Sequence, residues 1–365
     1  MTVKVLIYPR GSNPYQELLY TRFKTSEYLV KYLDSASRSH VLGLIILPLQ
    51  LIYYRVVGYT VFHIHWLHTF QLYQNLKIFH NLPFKIVYTG YFYFVFLLIR
   101  ILNYKIVWTA HDLVARQNQF VNNLSISRFL ASISDAVIVH SRKSISEMEI
   151  MQIKPRKVCV IPIGNYCNAY PNTVTKSKAR KLLGIKPSTF VYGHFGRIEY
   201  YKGVLELIDA FSVINLTDIK LVIAGPCTDP DLYNIIIKLA ERDKRILFFP
   251  KYVPENEVQN YLNSSDVMVY PFREITTSSS IILSMSFMRM CICPYIGDIT
   301  EIPKHLGFFY TQSNGQYNLR KKMISAYFNK EKLARNGVKC YTYTQKTNWI
   351  DSAKMTENLY SQIMV

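Results

Sequence analysis

Short runs of β-branched and aromatic residues alternate along the chain with stretches of helical pattern. The runs are Val3–Tyr8, Thr60–His65, Lys105–Thr109, Ala136–His140 and Val158–Ile161, and then Thr189–Phe195, Ile219–Ala224, Ile246–Phe249, Val267–Tyr270 and Met290–Pro294. Strands that alternate with helices usually form parallel sheets, because each helix returns the chain to the same end of the sheet. The pattern therefore predicts an α/β fold with doubly wound parallel sheets.

The two series of strands are separated by Pro162-Ile163-Gly164-Asn165 and by a polar stretch that runs to Lys178. A chain of 365 residues exceeds the usual size of one hydrophobic core, and half of its residues are hydrophobic. We therefore expect two Rossmann-like domains, 1–165 and 166–345, that face each other across a cleft.

The charge of the chain indicates an anionic partner. The sequence contains 43 Lys and Arg against 24 Asp and Glu, a net charge of +19. Such a surface attracts a nucleotide, a nucleic acid or the anionic inner face of a membrane. The six cysteines form no C-x-x-C pair, and the amino terminus lacks the pattern of a signal peptide. We therefore expect a cytoplasmic protein.

Two segments are strongly apolar, Val41–Tyr54 and Ile86–Leu102. Pro48 and Gln50 interrupt the first, and Gly90 and Arg100 interrupt the second. A membrane span needs about 20 mostly apolar residues, so buried helices or helices lying in the membrane interface fit better than spanning helices. Lys77, Lys85, Arg100 and Lys105 flank the second segment and suit lipid headgroups.

Candidate site residues follow the predicted strands. In open parallel sheets, ligands bind beyond the carboxyl ends of the strands. The candidates in these positions are Arg10, Gly11, Ser12, Asn13, Trp66, His68, His111, Asp112, His140, Gly225 and the run Thr276–Ser280. His63 and His65 alternate along one strand, so we expect one of them in the core and the other at the cleft.

The segment Gly193–Gly203 has the chemistry of a diphosphate site. Arg197 offers a planar fork to phosphate oxygens, and Lys202 offers a movable point charge. Free amides at the start of the helix after Gly203 add a positive dipole end. A sugar nucleotide would present the matching anion. The alternative is an ordinary loop with two solvated cations.

Several motifs, in order, resemble those of GT-B glycosyltransferases, especially the family-4-like group that builds bacterial surface polysaccharides. The motifs are Asn13–Tyr20 (N-P-Y-x-x-L-L-Y), His63–Trp66 (H-I-H-W), Trp108–Leu113 (W-T-A-H-D-L), Phe195–Gly203 (F-G-R-x4-K-G), Ala224-Gly225, Asp266–Pro271 (D-V-x-V-x-P) and Gly297 to Glu301 (G-x-x-x-E). The likeness covers nearly the whole chain. It implies that residues 346–365, with Trp349 and Tyr360, form a helix that crosses back to the first domain.

The resemblance implies a glycosyltransferase that moves a sugar from a nucleotide diphosphate to a glycan acceptor. Gly196, Gly225 and Glu301 would line the donor pocket, and Thr277, Ser278, Ser279 and Ser280 would join Arg197 and Lys202 at the diphosphate. No metal or other cofactor is expected, and Asp229-Pro230-Asp231 is typical of a turn. With the charge and the apolar segments, a polyprenyl-diphosphate-linked acceptor is expected at the inner face of the plasma membrane, which would make the protein peripheral there.

One family feature is missing. Most family-4 enzymes carry an E-x7-E motif, but Ile275 and Leu283 stand at its two positions, and Glu274 is one residue out of register. The second glutamate usually holds the ribose, so the retaining outcome typical of family 4 does not follow. The Thr276–Ser280 run offers capping hydroxyls and free amides to a phosphate, or is a plain helix cap.

Acceptor chemistry is expected in the first domain. His111 could shuttle a proton or bind the donor sugar, and Asp112 could act as base in an inverting mechanism. A structural histidine beside a helix-capping aspartate is the alternative. Arg10, Gly11, Asn13, Tyr15, His65, Trp66 and His140 are the further acceptor or cleft candidates.

Two other functions fit part of the pattern. A GT-B-fold sugar-nucleotide epimerase shares the two-domain plan but needs no acceptor. A basic nucleic-acid-binding protein fits the charge and the 29 tyrosines, but these tyrosines lie in apolar segments and do not interleave with a basic stripe. We therefore expect no nucleic acid among the partners.

Overall fold

The computed structural model describes residues 2–11, 14–33, 40–67, 81–115 and 118–365. The chain divides into two compact units, Met1–Ile163 with Trp349–Val365, and Gly164–Asn348. The boundaries expected from the sequence, at 165/166 and 345/346, lie close to these divisions.

The first unit contains a parallel six-stranded sheet in the order β2-β1-β3-β4-β5-β6. Its strands are β1 (Val3–Tyr8), β2 (Tyr28–Tyr32), β3 (Val61–Ile64), β4 (Lys105–Thr109), β5 (Ala136–Val139) and β6 (Val158–Val160). Its helices are α1 (Tyr15–Tyr20), α2 (His40–Val56), α3 (Leu82–Ile101), α4 (Asn123–Ile133), α5 (Arg142–Ile150) and α13 (Trp349–Met364). The strand order reverses between β1 and β3, which makes their carboxyl ends the expected ligand edge.

The core of the first unit is aromatic. Phe92 and Phe96 of α3 and Trp108 of β4 are buried in one cluster with Phe62 and Tyr104. Every residue of β3 and β5 is buried, as expected for central strands of a parallel sheet covered on both faces. The core therefore fixes the strands whose ends carry the candidate histidines.

Helix α13 belongs to the first unit although it closes the sequence. The hydroxyl of Tyr28 donates to the carbonyl of Glu357 at 2.9 Å, and the hydroxyl of Ser352 donates to the carbonyl of Pro162 at 2.7 Å. The carboxylate of Glu357 accepts from the amide of Lys24 at 2.6 Å. These buried or half-buried contacts attach the last helix to the first sheet.

The second unit contains a parallel six-stranded sheet in the order β12-β11-β10-β7-β8-β9. Its strands are β7 (Phe190–Phe195), β8 (Ile219–Ala224), β9 (Ile246–Phe249), β10 (Val267–Val269), β11 (Cys291–Pro294) and β12 (Gly307–Tyr310). Its helices are α6 (Lys176–Leu182), α7 (Val204–Ser212), α8 (Pro230–Arg242), α9 (Val258–Ser264), α10 (Ser279–Ser286), α11 (Gly315–Phe328) and α12 (Lys330–Thr344). This is the strand order of a dinucleotide-binding fold, with its switch point between β7 and β10.

The predicted α/β class with two doubly wound parallel sheets is confirmed. Four strands were predicted with the bounds that the structure shows: β1, β4, β8 and β9. Two strands were missed, β2 and β12. Both lie at sheet edges, where only part of each strand is buried, so neither forms a continuous apolar run.

Candidate functional site

Glycines bring the strand ends of the second unit unusually close together. A Cβ atom on Gly225 would lie 2.0 Å from the carbonyl oxygen of Gly196, and one on Gly203 would lie 2.0 Å from the carbonyl oxygen of Pro271. Both glycines have positive φ, +141° and +72°. A side chain at either position would therefore clash and strain the backbone. We call residues 196–203, Gly225 and 276–280 the second-unit rim.

The two predicted cations lie on this rim, after the carboxyl end of β7. Arg197 is exposed, and its Nε lies 3.8 Å from a carboxylate oxygen of Glu199, at the outer limit of an ion pair. Lys202 is half-buried in a short 3-10 helix (Tyr200–Lys202), and its Nζ lies 4.8 Å from the ring centre of Phe272 and 5.0 Å from that of Tyr201. The aromatic rings hold the ammonium group against the rim.

The hydroxyl run Thr276–Ser280 forms the part of the rim that follows β10 and opens α10. A Cβ atom on Gly196 would lie 3.4 Å from Oγ of Ser280, so this hydroxyl is adjacent to the end of β7. Ser278 is the N-cap of α10, and its Oγ accepts from the amide of Ile281 at 3.4 Å. The capping hypothesis is thus confirmed for Ser278. The buried Oγ1 of Thr277 has no hydrogen-bond partner among the described residues.

An aspartate that the sequence interpretation missed supports this helix start. Asp298 lies in a 3-10 helix (Gly297–Glu301), and its Oδ2 accepts from the amide of Ser278 at 3.1 Å. Gly297 makes the approach possible, because a Cβ atom there would lie 2.2 Å from the carbonyl oxygen of Ile275. The only available signal was its position inside the recognised Gly297 to Glu301 motif. Glu301 itself is exposed.

The structure also shows what replaces the E-x7-E glutamates. Ile275 and Leu283 are both buried, each 8% exposed, and Glu274 is exposed. The two motif positions therefore contribute apolar packing. Asp298 is the carboxylate that stands at the start of α10.

Histidine 194 lies inside β7, directly below the rim. It is buried, and its Nδ1 donates to the carbonyl of Val269 at 2.8 Å. Burial lowers the pKa of His194 to about 4. The imidazole is therefore neutral near pH 7 and serves the packing of β7 against β10.

In the first unit, the loop after β1 packs on Trp66. The amide of Gly11 donates to Oε1 of Gln16 at 2.9 Å, and Nε2 of Gln16 donates to the carbonyl of Pro9 at 2.9 Å. A Cβ atom on Gly11 would lie 2.2 Å from the Trp66 ring. Arg10 is exposed and lies over the ring of Tyr32 at 5.2 Å.

Aromatic rings surround His111 at the carboxyl ends of β3 and β4. The ring centre of Trp66 lies 4.5 Å from that of His111 at an interplanar angle of 13°, and Tyr15 meets His111 edge-on at 4.6 Å. Trp349 of α13 meets Tyr15 edge-on at 5.2 Å. His111 and Asp112 are both half-buried. The predicted candidates Asn13, Ser12 and His68 lie outside the described residues.

Four histidines form one hydrogen-bonded series. Nδ1 of His140 lies 2.9 Å from the carbonyl of Ile161, and Nε2 of His140 lies 3.0 Å from Nδ1 of His111. Nε2 of His111 lies 3.2 Å from Nδ1 of His65. The Tyr20 hydroxyl bridges His65 and His63, at 2.7 and 2.8 Å. His63 also contacts the hydroxyls of Tyr360 and Thr109, at 2.5 and 2.7 Å.

The carbonyl of Ile161 fixes the proton positions along this series, because a carbonyl can only accept. His140 must donate from Nδ1, so its Nε2 accepts from Nδ1 of His111 when both rings are neutral. Nε2 of a neutral His111 then accepts from Nδ1 of His65. Both ring nitrogens of His111 are thus engaged within the protein. It can accept a proton from a ligand only by giving up one of these bonds.

The expectation that His63 and His65 face different sides was wrong. Both are buried, and their rings stack at 4.3 Å. Residues two positions apart in a strand share a face, so both rings point to the same side of the sheet. Burial lowers the pKa of His63 to about 3 and that of His140 to about 4, and it lowers the pKa of His65.

Among the described residues, no group of three His, Cys, Asp or Glu is arranged to hold a metal ion. Asp229 is the N-cap of α8, where its Oδ1 accepts from the amide of Leu232 at 2.9 Å. Its carboxylate is therefore used in the turn that opens the helix, as the sequence interpretation expected of Asp229-Pro230-Asp231.

Comparison with known proteins agrees with this architecture. Sucrose-phosphate synthase from Thermosynechococcus elongatus superposes with a TM-score of 0.79 over 100% of this chain and 99% of that chain, at 16% identity. HepE from Anabaena, in complex with UDP-glucose, gives a TM-score of 0.76 over 98% of this chain and 99% of that chain, at 16% identity.

Two sequence comparisons each match a part of the chain. Residues 189–327 match the family model described as Glycosyl transferases group 1. A GDP-mannose:glycolipid 4-beta-D-mannosyltransferase from Xanthomonas campestris pv. campestris is 25% identical over 114 residues. That match spans 31% of this chain and 33% of the relative, about one third of its length.

The two Rossmann-like sheets and their solved counterparts define a GT-B protein. Residues 189–327 of the second unit, which include the whole rim, match the model of the group 1 glycosyltransferases. The resemblance drawn from the motifs is confirmed.

Proposed function

We propose that this protein is a glycosyltransferase that moves a sugar from a nucleotide-diphosphate donor to a glycan acceptor. One observation carries the proposal. The switch point of the second sheet, between β7 and β10, is flanked by Arg197 and Lys202 on one side and by the Thr277–Ser280 hydroxyls on the other. The group 1 family match spans this whole rim.

The donor diphosphate would bind to the second-unit rim. Arg197 supplies a bidentate cation, Lys202 a point charge, and the start of α10 supplies amides and hydroxyls. Gly196 and Gly225 pack closely and have no side chains that would keep the phosphates away from the backbone. These groups offset the charge that develops on the leaving diphosphate, so we propose a metal-independent reaction. Gly196, Gly225 and Glu301 remain the proposed lining of the nucleotide and sugar pocket.

The acceptor would bind at the carboxyl ends of β1, β3 and β4 in the first unit. In the reaction, the acceptor oxygen loses its proton and forms a bond to the anomeric carbon, while the bond from that carbon to the diphosphate breaks. Asp112 is the proposed base, since both ring nitrogens of the neighbouring His111 are already engaged. His111, held by His65 and His140, would line the sugar site. Arg10, Gly11, Tyr15 and Trp66 would line the acceptor side.

A lipid-linked acceptor in surface polysaccharide synthesis is the finer part of the proposal. The name of the Xanthomonas relative states that it acts on a glycolipid. The net charge of +19 suits a diphosphate-linked lipid at an anionic membrane surface. The protein would then work as a peripheral enzyme on the cytoplasmic face of the membrane.

The test is a transfer assay with GDP-mannose and UDP-glucose, the sugar nucleotides named for two of the similar proteins. Each donor is supplied with and without polyprenyl-diphosphate-linked glycans. We expect acceptor-dependent release of nucleoside diphosphate and an extended glycolipid. A thermal-shift panel of further nucleotide sugars identifies the donor if neither reacts, because a ligand that binds the folded state stabilises it.

Two outcomes would contradict the proposal. Conversion of the donor sugar without any acceptor would indicate an epimerase. If no nucleotide sugar stabilises the protein and no transfer occurs, the second-unit rim is not a donor site.

A further inference from the structure

Helix α3 exposes a continuous apolar stripe. Leu82, Ile86, Phe94, Leu97 and Ile101 recur at helical spacing on one side and are all exposed, Ile101 to 79%. Val87, next to Ile86, is 71% exposed. Single exposed apolar residues are ordinary on a protein surface, but a stripe along a 20-residue helix is not.

The neighbouring helix α2 presents a second stripe. Ile45, Leu49, Ile52, Tyr53 and Val56 are exposed, Leu49 to 67%, while Leu44, Leu47 and Leu51 pack into the core. The hydroxyl of Tyr91 in α3 donates to the carbonyl of Leu44 in α2, so the two helices lie side by side. Together these ten residues and Val87 form what we call the α2–α3 face.

A groove adds concave apolar surface beside α3. A cavity of about 460 Å³ lies between α3 and α4, lined in part by Ile86, Gly90 and Val121. A Cβ atom on Gly90 would have no neighbour within 4 Å, so the groove is open at this point. Ile86 belongs to both the groove and the α2–α3 face. The two surfaces are therefore continuous.

The segment that carries this face contributes charge of one sign, although Arg38 and Lys77 lie outside the described residues. Residues 35–111 contain no Asp or Glu and six Lys or Arg, namely Arg38, Arg55, Lys77, Lys85, Arg100 and Lys105. Arg100, expected from the sequence to meet lipid headgroups, instead pairs with Asp135 at 2.9 Å. Nε of Arg55 donates to the carbonyl of Leu102 at 2.7 Å. Even with Arg100 paired, the segment that carries the face supplies only positive charge.

Helix α3 is long and apolar enough to cross a membrane by length and composition alone. Its other side, however, is committed to the core of the first unit. Tyr88, Phe92, Val95, Phe96 and Ile99 are buried, and Tyr88 and Phe92 contact Phe120 at 5.5 and 5.3 Å. A spanning helix would remove these side chains from the core. A helix that lies flat buries one side in protein and offers the other to lipid.

We propose that the α2–α3 face is a docking surface for an anionic lipid bilayer, on which α2 and α3 lie in the plane of the membrane interface. The apolar stripes enter the acyl boundary, and the basic residues of this segment that are not paired with a carboxylate, such as Lys85, meet the negative headgroups. The bilayer is favoured over a second protein because the exposed apolar rows lie on a segment that carries Lys and Arg but no Asp or Glu, which matches the apolar interior and the anionic headgroups of a bilayer.

The experiment is co-sedimentation of the full-length protein with vesicles of phosphatidylcholine alone and of phosphatidylcholine mixed with phosphatidylglycerol. No donor or acceptor is present, so failure here would leave the glycosyltransferase proposal untouched. The test variant is Leu49→Glu/Val87→Glu, which places a carboxylate on each stripe. The matched control is Ile150→Glu, since Ile150 is 78% exposed in the same unit but lies on α5. Circular dichroism and thermal unfolding verify that both variants fold.

We expect the natural sequence and Ile150→Glu to bind the phosphatidylglycerol vesicles and to release as salt rises. The double variant should bind them at least tenfold more weakly. Equal binding by all three proteins, or no binding to either vesicle, would overturn the proposal. So would a concentration-dependent dimer that the double variant abolishes while vesicles have no effect, since the face would then belong to a second copy of the chain.

Discussion

Gly225 approaches Gly196 so closely that a Cβ atom on Gly225 would lie 2.0 Å from the Gly196 carbonyl oxygen. Gly196 directly follows β7 and Gly225 directly follows β8. These two strands are neighbours in the sheet, and Phe195 pairs with Ala224 at their carboxyl ends. Their approach shapes the part of the second-unit rim where the donor is proposed to bind.

The first prediction concerns this approach. Gly225→Ala should lower the free energy of unfolding by at least about 3 kcal/mol, because the methyl group both clashes with backbone and strains a φ of +141°. Urea unfolding measures the loss. The control is Gly184→Ala, which also has positive φ, +66°, but has open space around its Cβ position. It should cost only about 1 kcal/mol. Similar losses in both variants would show that close packing at Gly225 is unimportant.

The rim cations give the second prediction. Arg197→Ala and Lys202→Ala should each weaken donor binding or turnover at least tenfold, because each removes a charge-assisted contact to the diphosphate. Isothermal titration with the donor and steady-state kinetics measure the effect. Lys238→Ala, an exposed position on α8, removes the same charge away from the rim and should change neither value. Near-normal activity in both rim variants would contradict the diphosphate assignment.

The third prediction concerns the buried hydroxyl of Thr277, which we expect to contribute to donor binding and not to the stability of the free protein. Thr277→Val keeps the shape of the side chain and removes an oxygen that has no partner among the described residues. The free protein should therefore be as stable as before, or more stable by about 1 kcal/mol. Donor affinity should fall about tenfold if the hydroxyl bonds a phosphate oxygen. Thr342→Val, on the exposed side of α12, is the control for both measurements. An unchanged affinity for the donor would remove Thr277 from the site.

A fourth prediction addresses the proposed base. Asp112→Asn should lower kcat at least about a hundredfold and leave the KM for the donor nearly unchanged, since it removes proton transfer and not donor binding. His140→Asn keeps a donor toward the carbonyl of Ile161 but changes the support of His111. It should have a smaller effect on kcat. A larger loss in His140→Asn than in Asp112→Asn would instead point to His111 as the group that takes the proton.

Stability should depend on pH through the buried histidines. The pKa of His194 is lowered to about 4 in the fold, against about 6.5 in the unfolded chain. Above pH 6.5 both states are neutral and the residue has no effect. Between about pH 6.5 and 4, His194 is protonated in the unfolded chain but remains neutral in the folded protein. The free energy of unfolding then falls by about 1.4 kcal/mol per pH unit for each such histidine.

Urea unfolding at several pH values measures this slope. His194→Asn retains a donor for the carbonyl of Val269 and should reduce the slope by about 1.4 kcal/mol per pH unit. An unaltered slope in His194→Asn would mean that His194 is protonated in the fold.

The central strands of both sheets could be predicted from the sequence, because burial on both faces produces continuous apolar runs such as Ala136–Val139. The positions of Arg197 and Lys202 at a sheet edge followed from their place after such a run. The edge strands β2 and β12 lack this signal. Tyr360 bonds to His63 across 297 residues of sequence, and no local pattern announces such a pair.

The histidine series shows a different limit. The spacing of His63 and His65 already placed them on one face, and the error lay in assigning them to two. The roles of Gln16 and Asp298 depend on backbone groups that come close only after folding. Hydrogen bonds of this kind can be identified only in the folded structure, whereas apolar periodicity can be read from the sequence alone.

The attachment of α13 to the first sheet has a consequence for synthesis on the ribosome. Residues 164–348 form an uninterrupted unit that can complete its structure as it emerges, but the first unit lacks Trp349–Val365 until those residues have also emerged. Until then His63 is without Tyr360, and the carbonyl of Pro162 is without Ser352. The first unit therefore begins to emerge before the second unit but completes its fold after it. Nascent chains stalled before residue 349 should be cleaved by protease preferentially in the first unit.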